Sequence, residues 1–284
     1  MEEVPMKKLL VSALVLPLTL LAQAGKSCCA PTSTAEFAML ASDDKFRSAH
    51  LEPLPFTFVS ADGREITFKT VDGIDGKGFE IKAPKETNAY VFMIHEWWGL
   101  NDYIKREAEK LQKELSSVNV IALDLYDGRV ATTQQEAGKY MGEAKEVRIR
   151  AIIKGALDYV GLKAKVGTIG WCFGGGWSLQ TAVLAGKQTS ACVMYYGMPE
   201  TDIEKLKTIN GPVLGIFAKK DGWINPEKVK DFEANMKKAS KKLTIKMYDA
   251  DHAFANPSNP KFDKEAAADA HKAALAFLKK YLVK

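Results

Sequence analysis

A cysteine set between glycines is the residue of this sequence best suited to covalent chemistry. An apolar stretch at 166–171 leads into Gly-Trp-Cys-Phe-Gly at 170–174, and a helix-compatible stretch follows at 177–182. The spacing is typical of a sharp strand-to-helix turn that presents a nucleophile, with Cys172 where serine usually stands. Glycines at these positions let the strand and the helix approach closely. A glycine-rich turn with a structural thiol is the alternative that these five residues leave open.

Three further reactive side chains follow predicted strands. Asp221 and His252 each come shortly after a strand-like stretch, and Glu96 follows a continuous apolar run. Ligands of an open α/β sheet bind beyond the carboxyl ends of the strands, so we expect these side chains near Cys172. The order nucleophile, acid, histidine is that of the α/β-hydrolase arrangement and predicts a Cys-Asp-His triad. An ordinary Asp-Gly turn and a packed histidine are the simpler alternatives.

Strands and helices alternate along most of the chain. Two short stretches separated by Asp-Gly turns predict an antiparallel hairpin, and later apolar runs predict strands buried on both faces. We therefore expect an α/β-hydrolase fold with a mostly parallel central sheet, helices on both faces and three layers. The expected strands lie at 66–71, 78–82, 89–94, 118–123, 165–171, 191–196, 213–218 and 243–248, and the expected helices at 101–115, 133–141, 144–160, 177–186, 226–239 and 263–282.

Length and composition are those of an ordinary soluble globular protein. The 284 residues are 46% hydrophobic and 26% charged, with a formal net charge of +5. Acidic and basic residues are interleaved, and the chain has no long basic run, which argues against a nucleic-acid partner. We expect a monomer that needs no cofactor.

The first 24 residues have the layout of a secretory signal peptide. Lys7 and Lys8 precede an apolar stretch at 9–22, and Ala-Gln-Ala at 22–24 matches a small-x-small cleavage site. The apolar stretch is short for a membrane span. We therefore expect cleavage, export to the periplasm and a mature chain that is not stably inserted in a membrane.

Between the signal peptide and the domain, the sequence is poor in periodic pattern. Residues 25–60 contain three prolines and predict a tail and linker, in which 35–49 would form a short surface helix. Nothing in this stretch carries obvious chemistry. The catalytic domain is expected at 61–284.

The remaining cysteines do not suggest a disulfide framework or a metal site. Cys28 and Cys29 lie near the predicted mature terminus, where a lipid anchor on Cys28 is the alternative to a soluble tail. Lys26 and Ser27 before Cys28 do not match the small apolar run of a lipidation site. Cys192 lies in an apolar strand-like run and is expected to be a small core residue. No cysteine–histidine spacing predicts zinc, so no metal is expected.

Four places in the sequence together resemble the dienelactone hydrolase family. They are the cysteine turn at 170–175, the strand end at Asp221, Asp-His-Ala-Phe-Ala at 251–255 and the turn at Glu96. The likeness runs from about residue 64 to the C-terminus. Members of the family hydrolyse esters or lactones, the founding substrate being a dienelactone. The resemblance implies a carboxylic ester hydrolase, similar to carboxymethylenebutenolidase, with a small-molecule ester or lactone as its partner. The predicted signal peptide adds that this member of the family is exported.

The resemblance also implies roles for individual residues. Cys172 would be the nucleophile, His252 its base and Asp221 the group that orients the imidazole. The backbone N–H groups of Phe173 and Trp97 would form the oxyanion hole. A free thiol is a weak nucleophile at neutral pH, so we expect both the base and the positive end of the following helix to activate it.

The substrate side of the resemblance is less complete. Glu96 matches a family carboxylate that contacts the resting thiol and moves when substrate arrives. Two family arginines that hold the substrate carboxylate are replaced here by Asn256 and Gly128, and Arg129 next to the latter is expected to substitute in part. We expect a less charged ester in a pocket lined by aromatic side chains, although plain packing is the alternative for each aromatic. The expected substrate-binding residues are Trp98, Tyr126, Arg129, Tyr195, Trp223 and Asn256.

Two other classes of function stay open at this point. The protein could be a catalytically weak binding protein of the hydrolase fold. It could also be a redox protein in which Cys172 and the pair Cys28-Cys29 act as exchanging thiols.

Overall fold

The computed structural model describes residues 1–2 and 31–283 of the chain. From residue 31 on, the described chain forms one compact unit. The apolar stretch and cleavage site of the predicted signal peptide, together with Cys28 and Cys29, lie outside the described residues. The expectations for that region, and the division at residues 24 and 60, stay predictions.

One sheet organises the described chain. Its strands are β1 (Gly63–Phe68), β2 (Gly76–Ile81), β3 (Ala89–Ile94), β4 (Asn119–Asp124), β5 (Lys165–Trp171), β6 (Thr189–Tyr195), β7 (Val213–Ala218) and β8 (Leu243–Tyr248). Their spatial order is β1-β2-β4-β3-β5-β6-β7-β8. β2 pairs antiparallel with β1 and β4, and the pairs from β4 through β8 are parallel. The expected hairpin and mostly parallel sheet are confirmed.

Helices pack on both faces of this sheet, as expected for an α/β-hydrolase fold. They are α1 (Ser33–Met39), α2 (Asp44–Ser48), α3 (Asp102–Leu115), α4 (Gln134–Glu143), α5 (Glu146–Val160), α6 (Phe173–Ala185), α7 (Ile203–Lys207), α8 (Pro226–Lys238) and α9 (Lys264–Leu282). α5 contacts α6, while α3 contacts α9. None of the described helices is long and apolar enough to cross a membrane.

Burial explains why the sequence pattern predicted the sheet well. Every residue of β4 and β7 is buried, as expected for parallel strands covered by helices on both faces. The bounds expected for β5, β7 and β8 agree with the structure. α6 begins four residues earlier than expected, directly after the catalytic-candidate cysteine, because its first turn is built from glycines that carry no apolar signal.

The stretch expected to be a tail contains α1 and α2, joined by a short 3-10 turn, and it is packed into the unit. Thr32 and Asp43 cap the two helices with side-chain oxygens. Ser33 donates a hydrogen bond to Glu200 over 3.2 Å. Phe46 and His50 are buried, so the interpretation of this stretch as a surface tail with a surface helix does not hold for them. We call residues 31–50 the N-terminal segment.

Candidate active site

Cys172 sits at a strained turn between β5 and α6. Its φ of 56° lies in the left-handed region that non-glycine residues rarely adopt. Its N–H donates to the carbonyl of Tyr195 on β6 over 3.0 Å, which fixes the turn against the neighbouring strand. A Cβ on Gly170 would lie 2.1 Å from the carbonyl oxygen of Gly174, and one on Gly174 would lie 2.4 Å from that of His95. Only glycine fits either position, as the sequence pattern predicted.

His252 and Asp221 meet Cys172 beyond the ends of β7 and β8. The Nε2 atom of His252 lies 3.4 Å from the Cys172 Sγ, and its Nδ1 lies 2.6 Å from the Asp221 Oδ2. A carboxylate only accepts, so Nδ1 carries the proton and Nε2 is free to accept one from the thiol. The three side chains predicted as a triad are therefore brought together with the geometry of nucleophile, base and orienting acid.

The surroundings of Asp221 keep its carboxyl group ionised. Burial acts against its charge, but the facing His252 and the N–H groups of Ile224 and Trp223 outweigh this and hold the pKa of Asp221 below its ordinary value. Those N–H groups donate to its Oδ1 over 2.8 and 2.9 Å. An ionised carboxylate at Nδ1 is the condition for keeping His252 in the required tautomer.

The thiol itself rests in its neutral form. Burial and then the nearby Glu96 carboxyl raise the pKa of Cys172 well above its ordinary value, while the N–H of Phe173 acts in the opposite direction. The helix N-terminus thus favours the thiolate, as expected, but does not outweigh burial. A base must remove the proton when the nucleophile acts, and His252 is in place to do so.

Two backbone N–H groups expected to form an oxyanion hole flank the thiol. Phe173 is the first residue of α6, where a helix leaves its N–H without an intrahelical acceptor. Trp97 lies in the loop after β3, and no backbone hydrogen bond among the described residues uses its N–H. His95 fixes this loop, because its Nδ1 lies 2.6 Å from the Glu96 carbonyl and its Nε2 accepts from the N–H of Leu125 over 3.1 Å.

Glu96 faces Asn256 rather than the thiol. The Asn256 Nδ2 donates to the Glu96 Oε2 over 2.7 Å, whereas no hydrogen bond in the described chain joins Glu96 to Cys172. Burial raises the pKa of Glu96 from 4.5 to about 7, so this carboxyl titrates close to neutral pH. Asn256 therefore has a clear role here: it holds the carboxyl beside the nucleophile.

A cavity of about 430 Å³ opens next to Glu96. Of the predicted substrate-binding residues, Trp98, Tyr195 and Asn256 line it. Trp171, which precedes the cysteine, also lies in its wall, but Cys172 and His252 are not among the lining residues. The cavity thus reaches the neighbours of the nucleophile while the thiol stays covered, with 1% of Cys172 exposed.

The other three predicted substrate-binding residues lie elsewhere. Tyr126 is buried and packs on His95 and Phe173. Arg129 donates to the Tyr126 carbonyl and pairs with Glu143 over 2.8 Å. These contacts occupy Arg129 outside the cavity wall, so the structure does not place it as a substitute for the missing arginines.

Trp223 lies under the N-terminal segment. Its ring contacts Phe46 edge-on with centroids 5.3 Å apart, and contacts His252 at 5.6 Å. Its Nε1 donates to the Asp43 Oδ2 over 3.4 Å. Trp223 therefore anchors the segment and the catalytic histidine candidate, and it does not line the cavity.

Two residues of the N-terminal segment touch the triad, and neither was predicted from the sequence. Phe46 packs against Trp97, with centroids 5.4 Å apart, and against His252. The His50 Nε2 lies 4.0 Å from the Cys172 Sγ. Burial and the neighbouring His252 lower the pKa of His50 to about 3, so its imidazole is neutral. The only local sequence signal for these contacts was the presence of Phe46 and His50 four residues apart.

The chain is similar to known proteins of one family. The family model for dienelactone hydrolases matches residues 78–282. The chain belongs to the dienelactone hydrolase family. By its family it is a carboxylic ester hydrolase.

Among its relatives, "Protein usf" of Aquifex pyrophilus is 31% identical over 233 residues, which cover 78% of this chain and 99% of the relative. A carboxymethylenebutenolidase of Pseudomonas sp. (strain P51) is 29% identical over 133 residues, or 46% of this chain and 55% of that protein.

Solved structures support the fold. A dienelactone hydrolase-like promiscuous phosphotriesterase, P91, from metagenomic libraries superposes with a TM-score of 0.63 at 22% identity, covering 78% of this chain and 99% of its own. The Pyrococcus furiosus esterase Pf2001 superposes with a TM-score of 0.60 at 13% identity, covering 82% and 98%. In this dienelactone hydrolase family member, the α/β-hydrolase fold expected from the sequence is confirmed.

Proposed function

We propose that the protein hydrolyses small carboxylic esters or lactones with Cys172 as nucleophile, His252 as base and Asp221 as the orienting acid. The contact that carries this proposal is the continuous chain from Sγ to Nε2 at 3.4 Å and from Nδ1 to Oδ2 at 2.6 Å. It supplies a proton acceptor to a thiol that burial keeps neutral.

In the proposed reaction, His252 takes the thiol proton as Sγ attacks the substrate carbonyl. The tetrahedral oxyanion is stabilised by the N–H groups of Phe173 and Trp97, each worth about 3 kcal/mol in typical oxyanion holes. His252 then gives the proton to the leaving alkoxide, which leaves a thioester on Cys172. Water, deprotonated by His252, hydrolyses the thioester and restores the thiol.

We further propose that the substrate is an ester without a free carboxylate near the scissile bond. Asn256 stands where a family arginine would bind that carboxylate, and it is engaged with Glu96. Trp98, Trp171 and Tyr195 give the cavity wall an aromatic character suited to an aryl group. Basic side chains do line the outer cavity, but Arg106 and Lys110 are both within 4.0 Å of Glu107. Their charge is thus partly balanced.

Export to the periplasm is also proposed, on the N-terminal sequence alone. Its support is the pair Lys7-Lys8, the apolar stretch at 9–22 and the Ala-Gln-Ala site. The mass of the protein recovered from the exported fraction tests it. A chain beginning near Gly25 is expected, whereas an uncleaved or lipid-bearing terminus contradicts the proposal.

A panel of aryl esters and lactones, each with and without a free carboxylate, tests the catalytic proposal. The wild-type protein is expected to hydrolyse the uncharged members and to gain little from the carboxylate. Cys172→Ala is the control and is expected to be inactive. Hydrolysis no faster than that of the control would leave a binding protein of the hydrolase fold as the explanation.

A further inference from the structure

We propose that Cys172, His252 and His50 together form a binding site for a thiophilic divalent metal ion, with Zn²⁺ as the best fit. Occupation of this site would block the thiol. The inhibitory part rests on the proposed function, whereas the metal site itself rests only on the geometry described below.

The three ligand atoms are spaced for one ion. The Cys172 Sγ lies 3.4 Å from the His252 Nε2 and 4.0 Å from the His50 Nε2, and all three atoms lie within 4.8 Å of one another. A point about 2.4 Å from each atom therefore exists, close to zinc–sulfur and zinc–nitrogen distances of about 2.3 and 2.1 Å. Small side-chain adjustments reach ideal bond lengths.

Both imidazoles are already oriented as metal ligands. The His50 Nδ1 lies 2.7 Å from the carbonyl oxygen of Phe46, which only accepts, so this Nδ1 carries the proton. Likewise, the Asp221 carboxylate accepts a hydrogen bond from the Nδ1 of His252. Each Nε2 lone pair thus faces the thiol. A backbone carbonyl or a carboxylate on the remote imidazole nitrogen is the usual outer support of a zinc-bound histidine.

The donor set and the surrounding charge suit zinc. One thiolate and two imidazoles are ligands that zinc prefers, and three protein ligands leave a fourth position open for water. On binding, the thiol S–H bond breaks, the proton goes to solvent and the sulfur forms a coordinate bond to the ion. The bound ion and thiolate carry a net charge of +1, and the Asp221 carboxyl, whose Oδ2 lies 2.6 Å from the His252 Nδ1, supplies a negative charge directly behind one of the ligands.

His50 distinguishes this site from any ordinary cysteine–histidine pair. It belongs to the N-terminal segment and is 122 residues from Cys172 in sequence. Only 4% of its surface is exposed. A third ligand on a separate segment couples metal binding to the docking of that segment over the nucleophile.

Co²⁺ and Zn²⁺ titrations of the full chain test the proposal without substrate. Wild-type protein is expected to develop thiolate-to-Co²⁺ charge-transfer absorption, and to bind Zn²⁺ in competition with a chromophoric chelator. His50→Gln is expected to weaken Zn²⁺ binding by at least tenfold, since even loss of outer-shell support costs about 10–100-fold. His271→Gln is the matched control, because His271 pairs with Glu114 and is not in the cluster.

Two results would overturn the proposal: no thiolate-to-Co²⁺ band in the wild type, or equal Zn²⁺ affinity in wild type and His50→Gln. Thermal unfolding with and without Zn²⁺ covers the case of a poorly folded variant, since the ion is expected to raise the wild-type Tm more than that of His50→Gln. Ester hydrolysis is measured separately. A protein that binds Co²⁺ through sulfur but hydrolyses nothing would contradict the proposed function alone.

Discussion

Two parts of the chain meet at Cys172, and they are held by different interactions. The nucleophile elbow, residues 170–175, is fixed by backbone contacts at which a Cβ on any of its glycines would overlap neighbouring carbonyl groups. The N-terminal segment is fixed by side chains, with Phe46 packed among rings and Ser33 donating to Glu200. The elbow is therefore part of the backbone framework of the sheet, whereas the segment is joined to the domain through side-chain contacts.

This difference assigns different tasks to the two regions. The elbow presents the thiol, and the geometry of the elbow depends on residues that are adjacent in sequence. The N-terminal segment packs beside the thiol, with the His50 Nε2 4.0 Å from Sγ, and so contributes to the burial of Cys172. The turn that presents the thiol and part of the packing that buries it are thus supplied by separate parts of the chain.

The largest expected effect is on kcat, and it distinguishes His252 from His50, the two histidines beside the thiol. His252→Ala is expected to lower kcat for an aryl ester by roughly 10⁴- to 10⁶-fold, the range over which loss of a triad member acts in related chemistry. His50→Ala is expected to change kcat by less than about tenfold, because no carboxylate supports His50 as a base. Steady-state kinetics of both variants measure this. Equal losses would make the N-terminal segment part of the catalytic machinery.

A glycine pair tests the rigidity of the elbow. Gly174→Ala would place a Cβ 2.4 Å from carbonyl oxygens of Ile94 and His95, and is expected to lower the free energy of unfolding by about 3 kcal/mol or more. Gly176→Ala meets its nearest atoms at 3.4 Å and is expected to be neutral or stabilising. Urea unfolding compares the two. Equal stabilities would contradict the close packing of the elbow.

Phe46→Ala tests whether the N-terminal segment separates on its own. Loss of a buried phenylalanine costs about 3–5 kcal/mol, which would favour local opening and expose Cys172. The reaction of Cys172 with a thiol reagent is expected to accelerate on the order of 100-fold, while global unfolding changes less. Met39→Ala, at an exposed position of the same segment, is the control. An unchanged thiol reaction rate would show that the segment does not limit access.

The smallest expected effect is a pH dependence of the free energy of unfolding that arises from the burial of Glu96. Burial raises the pKa of Glu96 from 4.5 to about 7, so its contribution to stability is complete below pH 4.5 and lost as the pH rises through 7. Wild-type protein is therefore expected to lose up to about 3 kcal/mol relative to Glu96→Gln between pH 4.5 and 7.5. Urea unfolding at both pH values measures this. Parallel pH dependence in the two proteins would place the Glu96 pKa at its ordinary value.

Predictions from the sequence were most accurate for features that depend on neighbouring residues. The predicted bounds of β5, β7 and β8 agree with the structure, although only β5 and β7 are apolar runs buried along most or all of their length, and the edge strand β8 is only partly buried. The sharp turn at Cys172 follows from glycines that allow close backbone approach. Asp221 and His252 were predicted to lie near Cys172 because parallel strands end at one edge of a sheet. The short helix α7 was not predicted, since its five residues are too few to show a helical period.

The sequence alone indicated the family through its resemblance at four places, and it indicated the sheet through the periodicity of its apolar residues. It also predicted that three reactive side chains lie close together, because parallel strands end at one edge of a sheet. Tertiary structure decided what surrounds them. It placed Phe46 and His50 over the thiol, bound Asn256 to Glu96, and occupied Arg129 outside the cavity. These contacts join residues 14 to 160 positions apart. No spacing along the chain encodes such contacts, since they arise only when separate segments pack against the same site.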